Sequence, residues 1–238
     1  MIDAEGNYIG GELELFKHAV NWKSYVARNT QKYINGDVLE VGAGLGTNAK
    51  HLSKGCSSYT LLEPDSKLCA QIPSEIKSVT CPTHVIQGIS TNLPSDMLFD
   101  SIIYYDVMEH IEGSKKEFQR IQNHLKPGGH LIVLVPAYQT LYNEFDKAVG
   151  HFRRYNKSCF RDESQGADTL VEKKLFYLDS LGVVASFVNK WFLKQSAPSV
   201  KQVKFWDRTI VSFSKFLDPI VGHSFGKSLI GVLEKKNS

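Results

Sequence analysis

Residues 38–46 read Val-Leu-Glu-Val-Gly-Ala-Gly-Leu-Gly and decide the fold of this chain. Val38, Leu39 and Val41 are typical of a buried β-strand, and residues 47–54, after the glycines, have helical character. A strand that runs through a glycine-rich turn into a helix brings backbone N–H groups and a helix N-terminus to a nucleotide-like ligand. Glycine suits such a turn because it bends tightly and places no side chain in the way of the ligand. We therefore expect an α/β fold with a ligand site at this turn.

Glu40 is an acid inside this predicted strand, two residues before the first glycine. A buried carboxylate without a partner is costly. We therefore expect Glu40 at the end of the strand, where it would face a cationic group. The alternative is an ordinary strand-end acid that pairs with a surface base.

The composition places the chain among ordinary globular proteins. Its 238 residues are 42% hydrophobic and 22% charged, which suits one α/β domain with additions. The formal net charge of +3 is too small to indicate a nucleic-acid partner. The four cysteines form no CxxC pair and no metal-ligand spacing, which predicts reduced thiols, a cytoplasmic protein and no metal site. The N-terminus has acidic residues and no long apolar run, so we predict no signal peptide.

Strands alternate with helices along the first half of the chain. Helical spacing at residues 11–34 precedes the first strand. Apolar runs then predict strands at residues 59–62, 84–87, 99–104 and 130–135, helices at 65–72 and 115–125, and a turn at 126–129. This alternation predicts a parallel, doubly wound sheet. Residues 170–178 and 228–234 are candidates for two further strands, and the segment between them is predicted to be helical.

We predict a single domain with four segments. The strand pattern stops after Pro136, and residues 137–170 are instead rich in Tyr, Phe, Arg and Asp. Because ligands bind at the carboxyl ends of such sheets, this insertion is a candidate substrate cover. The predicted segments are an N-terminal helical cap at residues 1–36, a cofactor-binding core at 37–136, the cover at 137–170, and C-terminal strands with a helical insertion at 171–238.

Glu63 is a second acid at the end of a predicted strand, directly after Leu61 and Leu62. An acid at this position binds ribose hydroxyls in dinucleotide folds, so a nicotinamide-dependent oxidoreductase is one alternative. Two features argue against it. The glycines are spaced G-x-G-x-G, without the G-x-x-G half of the dinucleotide fingerprint, and Glu40 would repel a pyrophosphate.

Four motifs occur in register along the first half of the chain. They are VLEVGAGLG at residues 38–46, LLEPD at 61–65, FDSIIYYDVMEHI at 99–111 and LKPGGHLIVLVP at 125–136. Together they resemble the class I S-adenosylmethionine-dependent methyltransferases. The resemblance implies a seven-stranded, mostly parallel, Rossmann-like sheet with an antiparallel last strand, and helical insertions that form a substrate cover.

The resemblance also implies how the cofactor, S-adenosylmethionine, and its product, S-adenosylhomocysteine, would bind. Glu40 would face the amino group of the cofactor, directly or through water, and Glu63 would accept hydrogen bonds from both ribose hydroxyls. Asp106 would border the sulfonium and is also a candidate catalytic residue. The other implied cofactor contacts, along the turn, the adenine slot and the methionine moiety, are Gly42, Ala43, Gly44, Gly46, Pro64, Asp65, Gly88, Ile89 and Tyr105.

The predicted cover contains the stretch Gly-His-Phe-Arg-Arg-Tyr at residues 150–155. It is similar to a GH-x-RRY signature in a bacterial subset of the family that is associated with glycans and secondary metabolites. Three interpretations remain open. His151 could be a general base, since the pKa range of histidine suits that role. The two arginines could instead bind an anionic group of the substrate, or they could form ion pairs with Glu144 and Asp146 that only stabilise the cover.

Substrate contacts are therefore predicted in and around this cover. The candidates are His110, Tyr138, His151, Arg153 and Arg154. Among these, His110 follows Glu109 at the start of a predicted helix, where an acid can also serve simply to complement the helix dipole.

An apolar stripe with helical spacing crosses residues 203–217. Its members are Val203, Trp206, Ile210, Phe213 and Leu217, and basic residues flank it. Core packing of a lid helix is the favoured interpretation. The alternative is a basic amphipathic face that rests on a membrane, as a peripheral contact that would suit a lipid-linked substrate.

These observations predict S-adenosylmethionine-dependent methyl transfer to an oxygen or nitrogen of a small-molecule, sugar or lipid-linked metabolite. Nucleic acid is not the expected substrate, because the fourth strand is followed by Tyr-Asp-Val rather than an Asn/Asp-Pro-Pro run, and no Pro-Cys pair occurs. A methyltransferase-fold module that binds a ligand without catalysis is the alternative from a different class. The nicotinamide-dependent oxidoreductase is the third hypothesis.

Overall fold

The computed structural model describes residues 12–188 and 199–237. Its centre is one seven-stranded sheet in the order β3-β2-β1-β4-β5-β7-β6. Neighbours from β1 to β5 are parallel, whereas β7 is antiparallel to both β5 and β6. This confirms the predicted sheet with its antiparallel last strand. The strands are β1 Gly36–Val41, β2 Cys56–Glu63, β3 Thr83–Gln87, β4 Phe99–Tyr105, β5 Leu125–Pro136, β6 Leu170–Leu178 and β7 Ser228–Lys235.

Helices connect the strands and cover the sheet. They are α1 Glu12–Phe16, α2 Val20–Thr30, α3 Ala49–Leu52, α4 Ser66–Glu75, α5 Ser114–Ile121, α6 Glu144–Ala148, α7 Lys157–Ser164, α8 Ser180–Val188, α9 Val200–Phe205 and α10 Val211–Ile220. A π-helical turn, Trp206–Ile210, joins α9 to α10 in one continuous helix. None of the helices in the described residues has the length and hydrophobicity needed to cross a bilayer.

The core lies on both faces of the sheet, which explains why its central strands are continuously apolar. Residues Leu131 to Val135 of β5 are all buried. On one face, strand residues pack with Trp22 and Tyr25 of α2 and with residues of α3, α4, α9 and α10. On the other face, they pack with Phe118 of α5 and Phe160 of α7. The arrangement is that of a doubly wound α/β fold.

Three local predictions are wrong. The helix predicted to end before Pro73 continues to Glu75, since a proline so near the end of a helix costs it only one hydrogen bond. The predicted turn at residues 126–129 belongs to β5, which starts at Leu125. The helix predicted at residues 47–54 is the single turn Ala49–Leu52.

Two apolar residues of predicted helical segments, one in residues 11–34 and one in the stripe at residues 203–217, lie at the surface. Val20 at the start of α2 is 54% exposed, and Phe213 is 63% exposed. For Phe213 the cause is the π-helical turn, which holds one more residue than an α-helical turn and rotates every later side chain around the helix axis. The apolar stripe that begins with Val203 in the core therefore no longer faces the core when it reaches Phe213 in α10.

Candidate active site

A cavity of about 560 Å³ lies at the carboxyl ends of β1, β4 and β5. Ligand sites typically occupy about 300–1,000 Å³, and in doubly wound sheets they lie at this edge. Gly42 and Ala43 after β1 and Tyr105 and Asp106 after β4 line the cavity. These four predicted cofactor contacts are thus brought together.

The glycine turn has the left-handed backbone that its sequence predicts. Gly42, Gly44 and Gly46 have φ of 67°, 56° and 70°, values that residues with a Cβ rarely adopt. A Cβ at Gly42 would also lie 2.6 Å from Cγ2 of Val107. The carbonyl of Leu62 accepts hydrogen bonds from the N–H groups of Gly42 and Ala43, at 2.8 and 3.1 Å, and ties the turn to β2.

The carboxylate of Glu63 stabilises the glycine turn through hydrogen bonds from backbone N–H groups. Its carboxylate accepts hydrogen bonds from the N–H of Gly44 at 2.7 Å and from the N–H of Asp65 at 3.0 Å. Burial raises the pKa of Glu63, and these two hydrogen bonds oppose the rise. Each carboxylate oxygen keeps a second lone pair, so contact with ribose hydroxyls stays a prediction.

The remaining residues of the predicted adenosine pocket lie beside the end of β2 and do not line the cavity. Asp65 is the N-cap of α4 and accepts hydrogen bonds from the N–H groups of Lys67 and Leu68. The N–H of Gly88 donates to the carbonyl of Glu63 at 3.0 Å, and Ile89 is exposed. Their role in cofactor binding, like that of Pro64, stays a prediction.

Glu40 lies beneath the turn rather than on the cavity surface. Its two oxygens accept hydrogen bonds from Asn48 Nδ2 at 2.8 Å and from the Tyr59 hydroxyl at 2.9 Å. Burial raises the pKa of Glu40 to about 7, against these two hydrogen bonds. Asn48 does line the cavity, so Glu40 orients a residue that can contact a ligand.

Lys23 of α2 is a cation in the lining of the same cavity, and no sequence motif marks it. Its Nζ donates a hydrogen bond to Thr47 Oγ1 next to the turn. Burial lowers the pKa of Lys23 to about 8, and nearby Glu40 opposes the fall. A cation here can hold the carboxylate of an amino-acid-like ligand.

The cavity lining also carries a histidine held by a carboxylate. Asp146 Oδ1 accepts hydrogen bonds from His151 Nδ1 at 2.7 Å and from Arg154 Nε at 2.9 Å. Burial would raise the pKa of Asp146, but these hydrogen bonds from His151 and Arg154 outweigh it, and the pKa is lowered. Asp146 therefore stays ionised and fixes the proton of His151 on Nδ1, which leaves Nε2 as a proton acceptor.

Glu109 and Asp106 are the acids nearest to this histidine. Glu109 Oε1 lies 3.9 Å from His151 Nε2, and neither oxygen of Glu109 has a hydrogen-bond partner among the described residues. Burial, together with the charge of Asp106, raises the pKa of Glu109 well above its ordinary value. Asp106 faces the cavity with an uncommon φ of 55°, and desolvation raises its pKa to about 6, against the opposing charges of Lys227 and Lys23.

Glu109, His110 and His151 could together hold a metal ion. One ligand atom from each lies within 4.8 Å of the others. Burial lowers the pKa of His110 to about 3, so its ring is neutral and able to coordinate a metal. The cysteine and histidine spacing could not predict this group, because His151 is forty-one residues from His110.

Two predicted substrate contacts lie outside the cavity lining. Arg153 donates hydrogen bonds to Ser114 Oγ and to the carbonyl of Glu112, both at 2.6 Å, so its guanidinium joins the cover to α5. Tyr138 stacks on Tyr177, with ring centroids 5.2 Å apart. Of the predicted substrate residues, His110, His151 and Arg154 line the cavity.

Lys227 and a group of aromatic residues complete the cavity, and sequence reasoning missed them. Lys227 Nζ lies 4.5 Å from the ring centroid of Trp206 and makes no hydrogen bond within the part of the chain that the structure describes. Burial lowers its pKa. The Phe and Trp rings that line the cavity are Phe16, Trp22, Phe145, Phe205 and Trp206. No motif marks these residues, because they come together only in the folded chain.

Comparisons with known proteins agree on the family. A family model described as "Methyltransferase domain" matches residues 17–170. Two curated relatives, the ubiquinone biosynthesis O-methyltransferases of Rickettsia felis and Rickettsia conorii, are 26% identical over 97 residues. That segment is 41% of this chain and 40% and 34% of the two relatives, so the chain matches well under half of their length.

Solved structures show the same fold at low identity. The protein bound to the Trm112 methyltransferase activator of Haloferax volcanii has a TM-score of 0.64 at 16% identity, over 92% of this chain and 91% of that one. The N-methyltransferase NodS of Bradyrhizobium japonicum, solved with S-adenosylhomocysteine, has a TM-score of 0.54 at 14% identity, over 92% and 85%. The [4+2]-cyclase SpnF has a TM-score of 0.61 at 14% identity, over 92% and 81%.

Proposed function

The chain belongs to the methyltransferase domain family, and from this premise we propose that it transfers a methyl group from S-adenosylmethionine to an oxygen or nitrogen of a small-molecule, sugar or lipid-linked metabolite. The observation that carries the proposal is that two features line one cavity. One is a glycine turn that presents open backbone, and the other is a histidine held by a buried carboxylate.

The glycine side of the cavity fits the cofactor. Positive φ angles and the absence of side chains leave the backbone of Gly42 accessible, and Asn48, Thr47 and Lys23 offer polar groups beside it. Lys23 would hold the carboxylate of the methionine moiety, and Asn48 its amino group. The bound cofactor supplies an activated methyl group on a sulfonium. Asp106, with a pKa of about 6, is mostly ionised at neutral pH and favours that positive charge.

The histidine side of the cavity would accept the proton of the acceptor. His151 Nε2 takes the proton from the attacking hydroxyl or amine, while Asp146 holds Nδ1–H and stabilises the imidazolium that forms. Arg154 keeps Asp146 ionised. Such a base contributes roughly 10²–10⁴ to the rate, and the rest comes from holding the nucleophile in line with the methyl group.

The cavity lining indicates what kind of acceptor fits. The aromatic rings favour an apolar or planar body, and Lys227 would bind an acidic group beside Trp206. Because the buried dyad of His151 and Asp146 faces the same cavity as the turn, we favour an enzyme over a silent binding module.

The experiment is a comparison of turnover and cofactor affinity in His151→Ala and Asp146→Asn. Release of S-adenosylhomocysteine is measured with hydroxyl- and amine-bearing acceptors, and S-adenosylhomocysteine affinity is measured by calorimetry. We expect turnover to fall roughly 10²–10⁴-fold while affinity stays within about threefold of wild type. Arg153→Ala is the control in the same motif, because its side chain lies outside the cavity. Turnover within about threefold of wild type in His151→Ala would exclude the base.

A further inference from the structure

The continuous helix from Val200 to Ile220 exposes an apolar face. Phe205, Phe213, Phe216 and Ile220 are 60%, 63%, 77% and 80% exposed, and we refer to these four residues as the apolar face. Single exposed apolar residues are normal, but a contiguous group marks an interaction site. Helix α8, which packs on α10, carries a further exposed apolar residue, Val184.

The charges of this helix are sorted between its two sides. Its two acids point inward: Asp207 accepts a hydrogen bond from the N–H of Trp22 at 2.8 Å, and Asp218 accepts one from the Tyr25 hydroxyl at 2.8 Å. The basic residues Lys201, Lys204 and Arg208 are exposed, and Lys215 is partly exposed. The outward side therefore combines apolar and cationic groups and carries no acid.

The inward side of the same helix lines the cavity. Val203, Trp206 and Ile210 are lining residues. Phe205 belongs to both sides, because it lines the cavity and is also one of the most exposed apolar residues of the helix. The apolar face is therefore continuous with the cavity at Phe205.

We propose that the apolar face binds the surface of an anionic lipid bilayer and that the acceptor is lipid-linked and enters the cavity past Phe205. Apolar side chains with flanking cations are complementary to such a surface, since the rings enter the acyl boundary and the cations contact anionic headgroups. The acceptor part of this proposal rests on the proposed methyl transfer, whereas the membrane part does not.

The test is sedimentation of the full chain with vesicles of phosphatidylcholine alone and of phosphatidylcholine with phosphatidylglycerol. We expect binding to the anionic vesicles that weakens with added salt. Phe213→Ser/Phe216→Ser should lower the binding by at least about tenfold, since serine cannot replace an aromatic ring that is buried in the acyl boundary. Leu98→Ser is the matched control, because Leu98 is an exposed apolar residue in the loop before β4.

A second pair of variants tests the cations. Lys201→Gln/Lys204→Gln should remove most of the preference for anionic vesicles, whereas Lys115→Gln/Lys116→Gln on α5 should not. Equal binding of Phe213→Ser/Phe216→Ser and Leu98→Ser, or no binding by wild type, would overturn the proposal. So would analytical ultracentrifugation that shows a dimer in wild type and a monomer in Phe213→Ser/Phe216→Ser without vesicle binding, since the partner is then a second copy.

Calorimetry with S-adenosylhomocysteine on each variant separates this proposal from the methyltransferase function. We expect unchanged affinity in Phe213→Ser/Phe216→Ser and in Lys201→Gln/Lys204→Gln, because none of these four side chains lines the cavity. A wild-type chain that binds vesicles without binding S-adenosylhomocysteine would refute the proposed function but would support the proposal that the apolar face binds a bilayer. A chain that binds S-adenosylhomocysteine but no vesicles would refute only the proposal that the apolar face binds a bilayer.

Discussion

Substitution of Glu40 by glutamine should change stability in a pH-dependent way. The unfolding free energy of the variant, measured relative to that of wild type, should be higher at pH 8 than at pH 5. Glu40 is a buried acid whose pKa rises from its ordinary value of 4.5 to about 7 because burial disfavours its charged form. Between these two values the folded state holds a proton that the unfolded state has released. Wild-type stability therefore falls as pH rises through this window and is constant above it.

The magnitude follows from the size of the pKa change. A difference of about 2.5 pKa units corresponds to about 3 kcal/mol across the whole window, and to about 2.5 kcal/mol between pH 5 and pH 8. Glutamine has no ionisable group and nearly the same shape, and it can still pair with Asn48 and Tyr59. Relative to wild type, Glu40→Gln should therefore gain about 2.5 kcal/mol between pH 5 and pH 8, or roughly 5–10 °C in Tm.

The assay is urea unfolding of wild type and variant at both pH values. The measured quantity is the difference in unfolding free energy between the two proteins, and the dependence of the unfolding free energy on urea concentration should be the same in both. Titration of the groups that do not interact with Glu40 is common to both proteins and cancels in the difference. Glu144→Gln is the control, since the side chain of Glu144 is 74% exposed. If the difference in unfolding free energy between wild type and Glu40→Gln is the same at pH 5 and pH 8, the pKa of Glu40 is not raised by burial and the reasoning is refuted.

Three further predictions concern the cavity. Gly42→Ala should weaken S-adenosylhomocysteine binding by at least about tenfold in calorimetry, whereas Gly55→Ala should not, because Gly55 has a similar φ of 83° with nothing within 4 Å of an added Cβ. Lys227→Met should raise KM for an acidic acceptor about tenfold or more without changing kcat, since a charged hydrogen bond is worth roughly 1.5–3 kcal/mol; an unchanged KM would remove Lys227 from the acceptor site. Treatment with a chelator should leave turnover unchanged if His151 is the base; a loss that zinc or magnesium restores would make Glu109, His110 and His151 metal ligands instead.

The sheet was predictable because its strands are local apolar runs between turn residues. β6 was predicted at residues 170–178 and is observed there, and the family predicted from four motifs is confirmed. The left-handed backbone of Gly42 also follows from residue type alone, since glycine adopts it without strain. Membership of the methyltransferase domain family supports S-adenosylmethionine as the predicted cofactor.

The parts that could not be predicted depend on contacts between distant residues. Glu40 was expected to face a cationic group. In the structure its oxygens accept hydrogen bonds from Asn48 and from Tyr59, which lies in the neighbouring strand β2, and the sequence around Glu40 does not show these partners. The π-helical turn that moves Phe213 to the surface leaves no trace in the apolar spacing, because periodicity assumes an α-helical turn throughout. Lys227 meets Trp206 only through tertiary packing.

The central claim is that the turn at residues 42–46 holds S-adenosylmethionine rather than a nicotinamide cofactor. The most direct measurement is isothermal calorimetry of the purified chain with S-adenosylhomocysteine, with NADH as the competing ligand. We predict one-to-one binding of S-adenosylhomocysteine, at least about tenfold weaker binding in Gly42→Ala, and no heat from NADH. Binding of NADH, or no binding of S-adenosylhomocysteine by the folded wild-type chain, would contradict the claim.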